Sequence, residues 1–125
     1  MLRNPAFPEN VVEVLRSSRI LGVRSGTEHR YTGVWVVVVE GRVFVRSWND
    51  KPTGWFRAFR KEPSGRLQAA GLEIPVQTRL IRSARLRKAV TVAYAQKYNT
   101  KASRKWVEGF GESARELATL EFVPR

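Results

Sequence analysis

The sequence predicts an α+β domain in which a small six-stranded antiparallel β-barrel is flanked by two to three helices. Three observations carry this expectation. Two apolar runs, 34–39 and 42–48, flank a Glu40-Gly41 pair, the pattern of a tight hairpin. A second pair of alternating runs surrounds Gly71. Segments with helical spacing fall at the ends and at one connection rather than between every pair of strands, which argues against a parallel sheet. Antiparallel strands in this number can close on themselves and so remove their edges.

The elements follow in order. Glu9 stands near the start and Arg16 and Arg19 near the end of a segment carrying Val11, Val12 and Leu15, so a short amphipathic helix with favourable end charges is expected after Pro8. Ile20, Leu21 and Val23 make 20–24 a first strand, stopped by Ser25-Gly26. Residues 27–33 read as a polar loop. The run 34–39 is apolar at every position, as a central strand buried on both faces would be. The run 42–48 alternates Val43, Val45 and Ser47 against Arg42, Phe44, Arg46 and Trp48, which implies one wetter face.

Residues 49–54 are turn-rich, and Thr53 is placed to cap a short helix over 55–62 that ends at Pro63-Ser64-Gly65. Two strands are expected at 66–70 and 72–81, with Ile74, Val76, Thr78 and Leu80 sharing a face. Ser83 opens a helix to about residue 98, with Leu86, Ala89, Val90, Ala93 and Tyr94 on its apolar face and Arg85, Arg87, Lys88 and Lys97 largely on the other. Residues 99–104 read as a loop, 106–116 are interrupted by glycine, and 118–123 alternate like a closing strand.

A chain of 125 residues suits one domain spanning 1–125. With no cysteine there is no disulfide or thiolate metal site, and His29 as the single histidine leaves no metal set and no serine-histidine-acid triad beyond itself; it reads as an exposed spectator. Gly109-Phe110-Gly111-Glu112 lacks the strand and the third glycine of a dinucleotide fingerprint. No apolar run approaches a membrane span or a signal sequence, so a soluble cytoplasmic protein without a membrane partner is expected.

The net charge is +12, and nine basic residues with no acidic one fall between positions 79 and 105. That block reads either as a surface for nucleic acid or another polyanion, with Arg82, Arg85, Lys88, Lys97 and Lys101 as contacts, or as a solvated helix face. Of the aromatic residues, Trp48 shares a strand face with Arg46 and is placed to stack on a flat ring.

The order of elements, and above all the stretch 34–81, resembles the flavin-binding split β-barrels, the group of pyridoxamine phosphate oxidase and the deazaflavin-dependent nitroreductases. Val43-Phe44-Val45-Arg46-Ser47, the basic loop after it and Gly54-Trp55-Phe56-Arg57-Ala58-Phe59 look like that group's phosphate-cradling segment. The whole chain, with Tyr94, Tyr98 and the closing Phe122-Val123-Pro124-Arg125, looks closer still to an uncharacterised bacterial family of such barrels. The resemblance implies a homodimer that holds flavin mononucleotide or a deazaflavin at its interface, with Arg46, Ser47, Trp48, Lys51, Thr53 and Arg57 around the cofactor. It implies an oxidoreductase or a cofactor-binding protein without turnover. The segment departs from the oxidase pattern, which has a serine-lysine pair where this chain has Trp48-Asn49-Asp50-Lys51-Pro52.

Overall fold

The structure is a computed structural model that describes residues 6–27 and 30–125; His29 lies outside the described residues. Among the described residues seven strands and five helices occur, in the order α1 (Glu9–Ser17), β1 (Leu21–Ser25), β2 (Thr32–Val34), β3 (Val36–Val39), β4 (Arg42–Arg46), α2 (Trp55–Lys61), β5 (Ser64–Ala69), β6 (Leu72–Leu80), α3 (Ala84–Lys97), α4 (Arg104–Phe110), α5 (Ser113–Glu116) and β7 (Thr119–Pro124). The strands form one antiparallel sheet in the order β2-β1-β5-β6-β7-β4-β3. Its two end strands, β2 and β3, are consecutive in the chain and separated only by Trp35, so the sheet curls into a nearly closed barrel. The α+β class and the antiparallel barrel are as expected; the strand count is seven rather than six.

The extra strand comes from the all-apolar run. Residues 32–34 pair with β1, from Val34 opposite Leu21 to Thr32 opposite Val23, and the chain changes partner at Trp35 before Val36 takes its place opposite Val45. Part of the expected polar loop is therefore strand, and the run 34–39 is two strands at the barrel's seam. Its apolarity reflects cover by α1 and α3 rather than a central place in the sheet. The strand expected to close the fold, β7, is instead central, paired with β6 on one side and β4 on the other.

Both hairpin turns place two residues at positive φ, Glu40 and Gly41 (54° and 73°) and Ala70 and Gly71 (49° and 77°), the twist that a two-residue connection requires. On β4 the alternation is as read, with Val43 and Val45 inside the barrel core and Phe44 and Arg46 outside. The outside face is nevertheless dry, because α3 lays Leu86, Val90, Tyr94 and Tyr98 over it. Ser83 caps α3 by accepting from Leu86 N–H at 3.2 Å. Helix α2 has no such cap: Gly54, not Thr53, holds its N-cap position in extended backbone, and no side chain bonds there.

An edge strand normally exposes unpaired backbone groups. At this seam α3 supplies them with partners. Tyr98 Oη accepts from Val36 N–H at 3.0 Å, Tyr94 Oη donates to Trp35 O at 2.9 Å, and Lys97 Nζ donates to Val36 O at 2.8 Å.

Candidate functional site

The four tryptophans of the chain meet at one cavity of about 390 Å³. Trp35 comes from the β2–β3 junction, Trp48 from just past β4, Trp55 from the start of α2 and Trp106 from α4. Ile20, Gly33, Val34, Phe110 and Arg46 complete the lining. Trp35 stacks on Tyr98 with centroids 4.1 Å apart and planes 3° from parallel. Trp48 meets Trp106 edge-on at 4.8 Å and Phe110 at 5.5 Å. The Arg115 guanidinium lies 3.6 Å from the Trp48 ring centre, and its Nε donates to Trp48 O at 2.7 Å. Ile20 and Trp106 are 58% and 47% exposed, so two large apolar side chains stand at the mouth of a concave apolar site, a combination typical of ligand pockets.

Arg46 sits beneath these rings with 2% of its surface exposed. Four of its five N–H donors are engaged: Nε to Thr119 Oγ1 at 2.8 Å, Nη1 to Thr91 Oγ1 at 2.7 Å and to Phe110 O at 2.8 Å, Nη2 to Arg87 O at 2.9 Å. Burial pulls its pKa below the ordinary value, and an arginine still keeps its proton in a protein. The cavity therefore has a cationic floor tied down by neutral oxygens.

The other expected cofactor contacts do not gather there. Ser47 is buried, its hydroxyl donating to Asn49 O and its N–H to Ala118 O. Arg57 is held in a two-bond pair by Asp50, at 2.7 and 2.9 Å, which holds the Asp50 carboxyl below its usual range. Lys51 is exposed, and its carbonyl accepts from Gly54 N–H. Thr53 lines a second, polar pocket of about 200 Å³ with Arg24, Arg30 and Thr32, and Trp55 borders both pockets. Arg46 and Trp48 thus line the aromatic cavity, whereas Trp35, Trp55, Trp106 and Phe110 belong to it without having been singled out by the sequence.

Of the expected polyanion contacts, Arg82, Lys88 and Lys101 are exposed. Arg85 pairs with Glu40 at 2.7 Å. Lys97 turns its stem inward, and Nζ donates to Leu15 O and Ser18 O at the end of α1 and to Val36 O at the sheet seam. Burial, helped by nearby Arg19, pushes its pKa down to about 8. Among the described residues no three His, Cys, Asp or Glu side chains cluster as a metal site requires, and no helix is long and apolar enough to cross a membrane.

Fold and site together define a small α+β protein with a nearly closed antiparallel barrel and a tryptophan-lined cavity beside its seam. Residues 19–122 match the family described as "Uncharacterized protein conserved in bacteria (DUF2255)", and the chain belongs to that family. Among curated proteins, none matches its sequence. Among solved structures the fold is similar to that of the conserved hypothetical protein Rv2991 from Mycobacterium tuberculosis, with a TM-score of 0.64 at 14% identity over 100% of this chain and 85% of the other. At that identity the likeness speaks for the fold alone.

Proposed function

We propose that this protein binds a flat heteroaromatic cofactor of the flavin or deazaflavin class, with the ring system in the tryptophan cavity. The observation that carries the reading is the convergence of all four tryptophans on one open concave site. Stacking of a heterocycle on such rings contributes about 1–3 kcal/mol per contact. The cavity's 390 Å³ lies at the small end of the range of roughly 300–1,000 Å³ for ligand pockets, which suits a ring system better than a whole dinucleotide. The cationic Arg46 floor favours a ring that carries negative charge, as a reduced flavin does.

The fit to the ring is better than the fit to a phosphate at 46–57, since Arg46, Ser47 and Arg57 are engaged within the protein. Bound there, a flavin or deazaflavin would supply hydride transfer; the chain's own part is to orient the ring and keep water from one face of it. Pairing of two subunits as a homodimer would cover Ile20 and Trp106 at the mouth.

The competing reading is a module for nucleic acid or another polyanion. Its support is the exposed set Arg82, Lys88 and Lys101, smaller than the charge block suggests once Arg85 and Lys97 are engaged. Titration with flavin mononucleotide and a deazaflavin at physiological salt, with a nonspecific duplex as the polyanion control, separates the two. Saturable flavin binding that survives added salt supports the cavity. Duplex binding that weakens steeply with salt, without flavin binding, supports the basic face.

A further inference from the structure

The outer face of β1, β5 and β6 has no part in the reading above. Along these strands Val23, Leu67 and Val76 point into the barrel core, so their neighbours Arg24, Arg66, Gln68 and Gln77 point outward, where each is half-buried or exposed. The register sets Arg24 of β1 opposite Arg66 of β5, and Arg66 opposite Pro75 of β6. The β1–β2 ladder ends with Val23 opposite Thr32, and the next residue of the incoming chain, Tyr31, lies beside Arg24, with the guanidinium 4.7 Å from its ring centre. Tyr31, Arg24 and Arg66 therefore form one row across the sheet.

This row is short of negative charge. Neighbouring strands lie about 5 Å apart, so Arg24 and Arg66 make a like-charge cross-strand pair, which costs stability unless an anion lies near. Neither has an ion-pair partner among the described residues, and Arg24 Nε is buried without a hydrogen-bond partner there. The one outward carboxylate of the three strands, Glu73, accepts from Tyr31 Oη at 3.0 Å. Burial and that bond raise the Tyr31 pKa while Arg24 and Arg66 pull it down, so both cations lie close to the ring. Arg24 on one side and Glu73 at the hydroxyl hold the half-buried ring in place.

We infer that this face binds single-stranded nucleic acid, with Arg24 and Arg66 as contacts to its phosphodiester backbone and Tyr31 as the platform on which a base stacks. Charge complementarity selects a polyanion, and guanidinium groups suit phosphate. Shape selects a single strand. A row of side chains on a sheet has no helix or ribbon to enter a duplex groove, whereas unpaired bases can lie along a sheet and stack on its aromatic rings. The row shares no residue with the tryptophan cavity or with the basic block at 79–105, and the inference does not rest on the ring reading.

Fluorescence anisotropy of a labelled oligothymidine at stepped salt reads the site. Replacing both arginines, Arg24→Gln with Arg66→Gln, should lower the slope of log affinity against log salt by about 1.4, since each phosphate contact on a single strand contributes about 0.7. The double variant should unfold at no lower urea concentration than the unaltered protein, because it removes a like-charge pair, so weaker binding is not misfolding. Tyr31→Ala should weaken binding at least about fivefold, the lower end for one stacked base. Arg82→Gln with Lys88→Gln should leave the slope unaltered. Absence of oligothymidine binding, a slope that survives loss of Arg24 and Arg66 or falls only with Arg82 and Lys88, tighter binding of a duplex, or polyglutamate competing as well as the oligonucleotide each overturns the inference. Riboflavin titration of the same variants tests the ring reading separately, and its midpoint should not move.

Discussion

The hydroxyl of Tyr94 accepts a hydrogen bond from the Arg46 backbone N–H at 3.0 Å while donating to Trp35 O at 2.9 Å. One fully buried side chain of α3 thus joins the end of β4 to the junction where the barrel changes strands, and the two tryptophans nearest those points, Trp35 and Trp48, both line the cavity. Burial raises the Tyr94 pKa well above the ordinary phenol value, so the hydroxyl keeps its proton and both bonds throughout the usual pH range.

Tyr94→Phe keeps the ring and removes both bonds, leaving a buried N–H and a carbonyl without this partner. The expected loss is about 1–3 kcal/mol, read from the urea midpoint. A smaller loss for Tyr98→Phe is not expected, since its hydroxyl likewise serves Val36 N–H and Arg19 O.

Arg46 joins β4 to β7, α3 and the end of α4 by four bonds. Arg46→Met should cost roughly 3 kcal/mol or more, because several buried acceptors lose their donor together. Arg46→Lys should recover only part of this, as one ammonium cannot reach acceptors arranged for a planar fork. Denaturant unfolding of both variants checks the order.

Gly109 explains why α4 can lie against the cavity wall. A Cβ at this position would fall 2.2 Å from Trp48 Cη2 and 2.5 Å from Cζ3, and an indole pinned between Arg115 and Trp106 has little room to give. Gly109→Ala should cost about 1–3 kcal/mol and alter the tryptophan emission. Gly111→Ala, whose nearest contact is Glu108 O at 3.4 Å, should be close to neutral on both measures.

Lys97 gives the fold a pH signature. Its folded pKa of about 8 lies below the ordinary lysine value of about 10.4, so between those limits the unfolded chain holds a proton that the folded chain has released. Stability should therefore rise with pH across that window, with the full cost of the buried charge present below it. Urea midpoints at stepped pH should show this rise in the unaltered protein and a flatter profile in Lys97→Met.

Local signals in the sequence located the elements that local physics determines. Glu40-Gly41 and Gly71 marked their turns, Ser83 marked the start of α3, and the spacing of Leu86, Val90 and Tyr94 gave its buried face. Periodicity reports which face a residue takes, not which strand lies beside it. The partner change at Trp35 and the central place of β7 therefore could not be read from it. Charge misled in a consistent way: Arg46 and Lys97 look like surface cations, yet each turns inward to carbonyls that the barrel's seam and helix ends leave unpaired. The cavity was the least legible feature, because Trp35 and Trp106 lie far apart in the chain and meet only through α3 and α4. The glycine pair Gly109 and Gly111, which reads in the sequence only as an interruption, is where the fold brings α4 against Trp48.

The most direct test of the ring site is the intrinsic tryptophan emission during a riboflavin titration. Because every tryptophan of the chain lines the cavity, a ring bound there should quench most of the emission, saturably and with the same midpoint as the change in flavin fluorescence. Quenching that grows linearly without saturation, or flavin binding that leaves the emission largely intact, would place the ligand elsewhere and contradict the account.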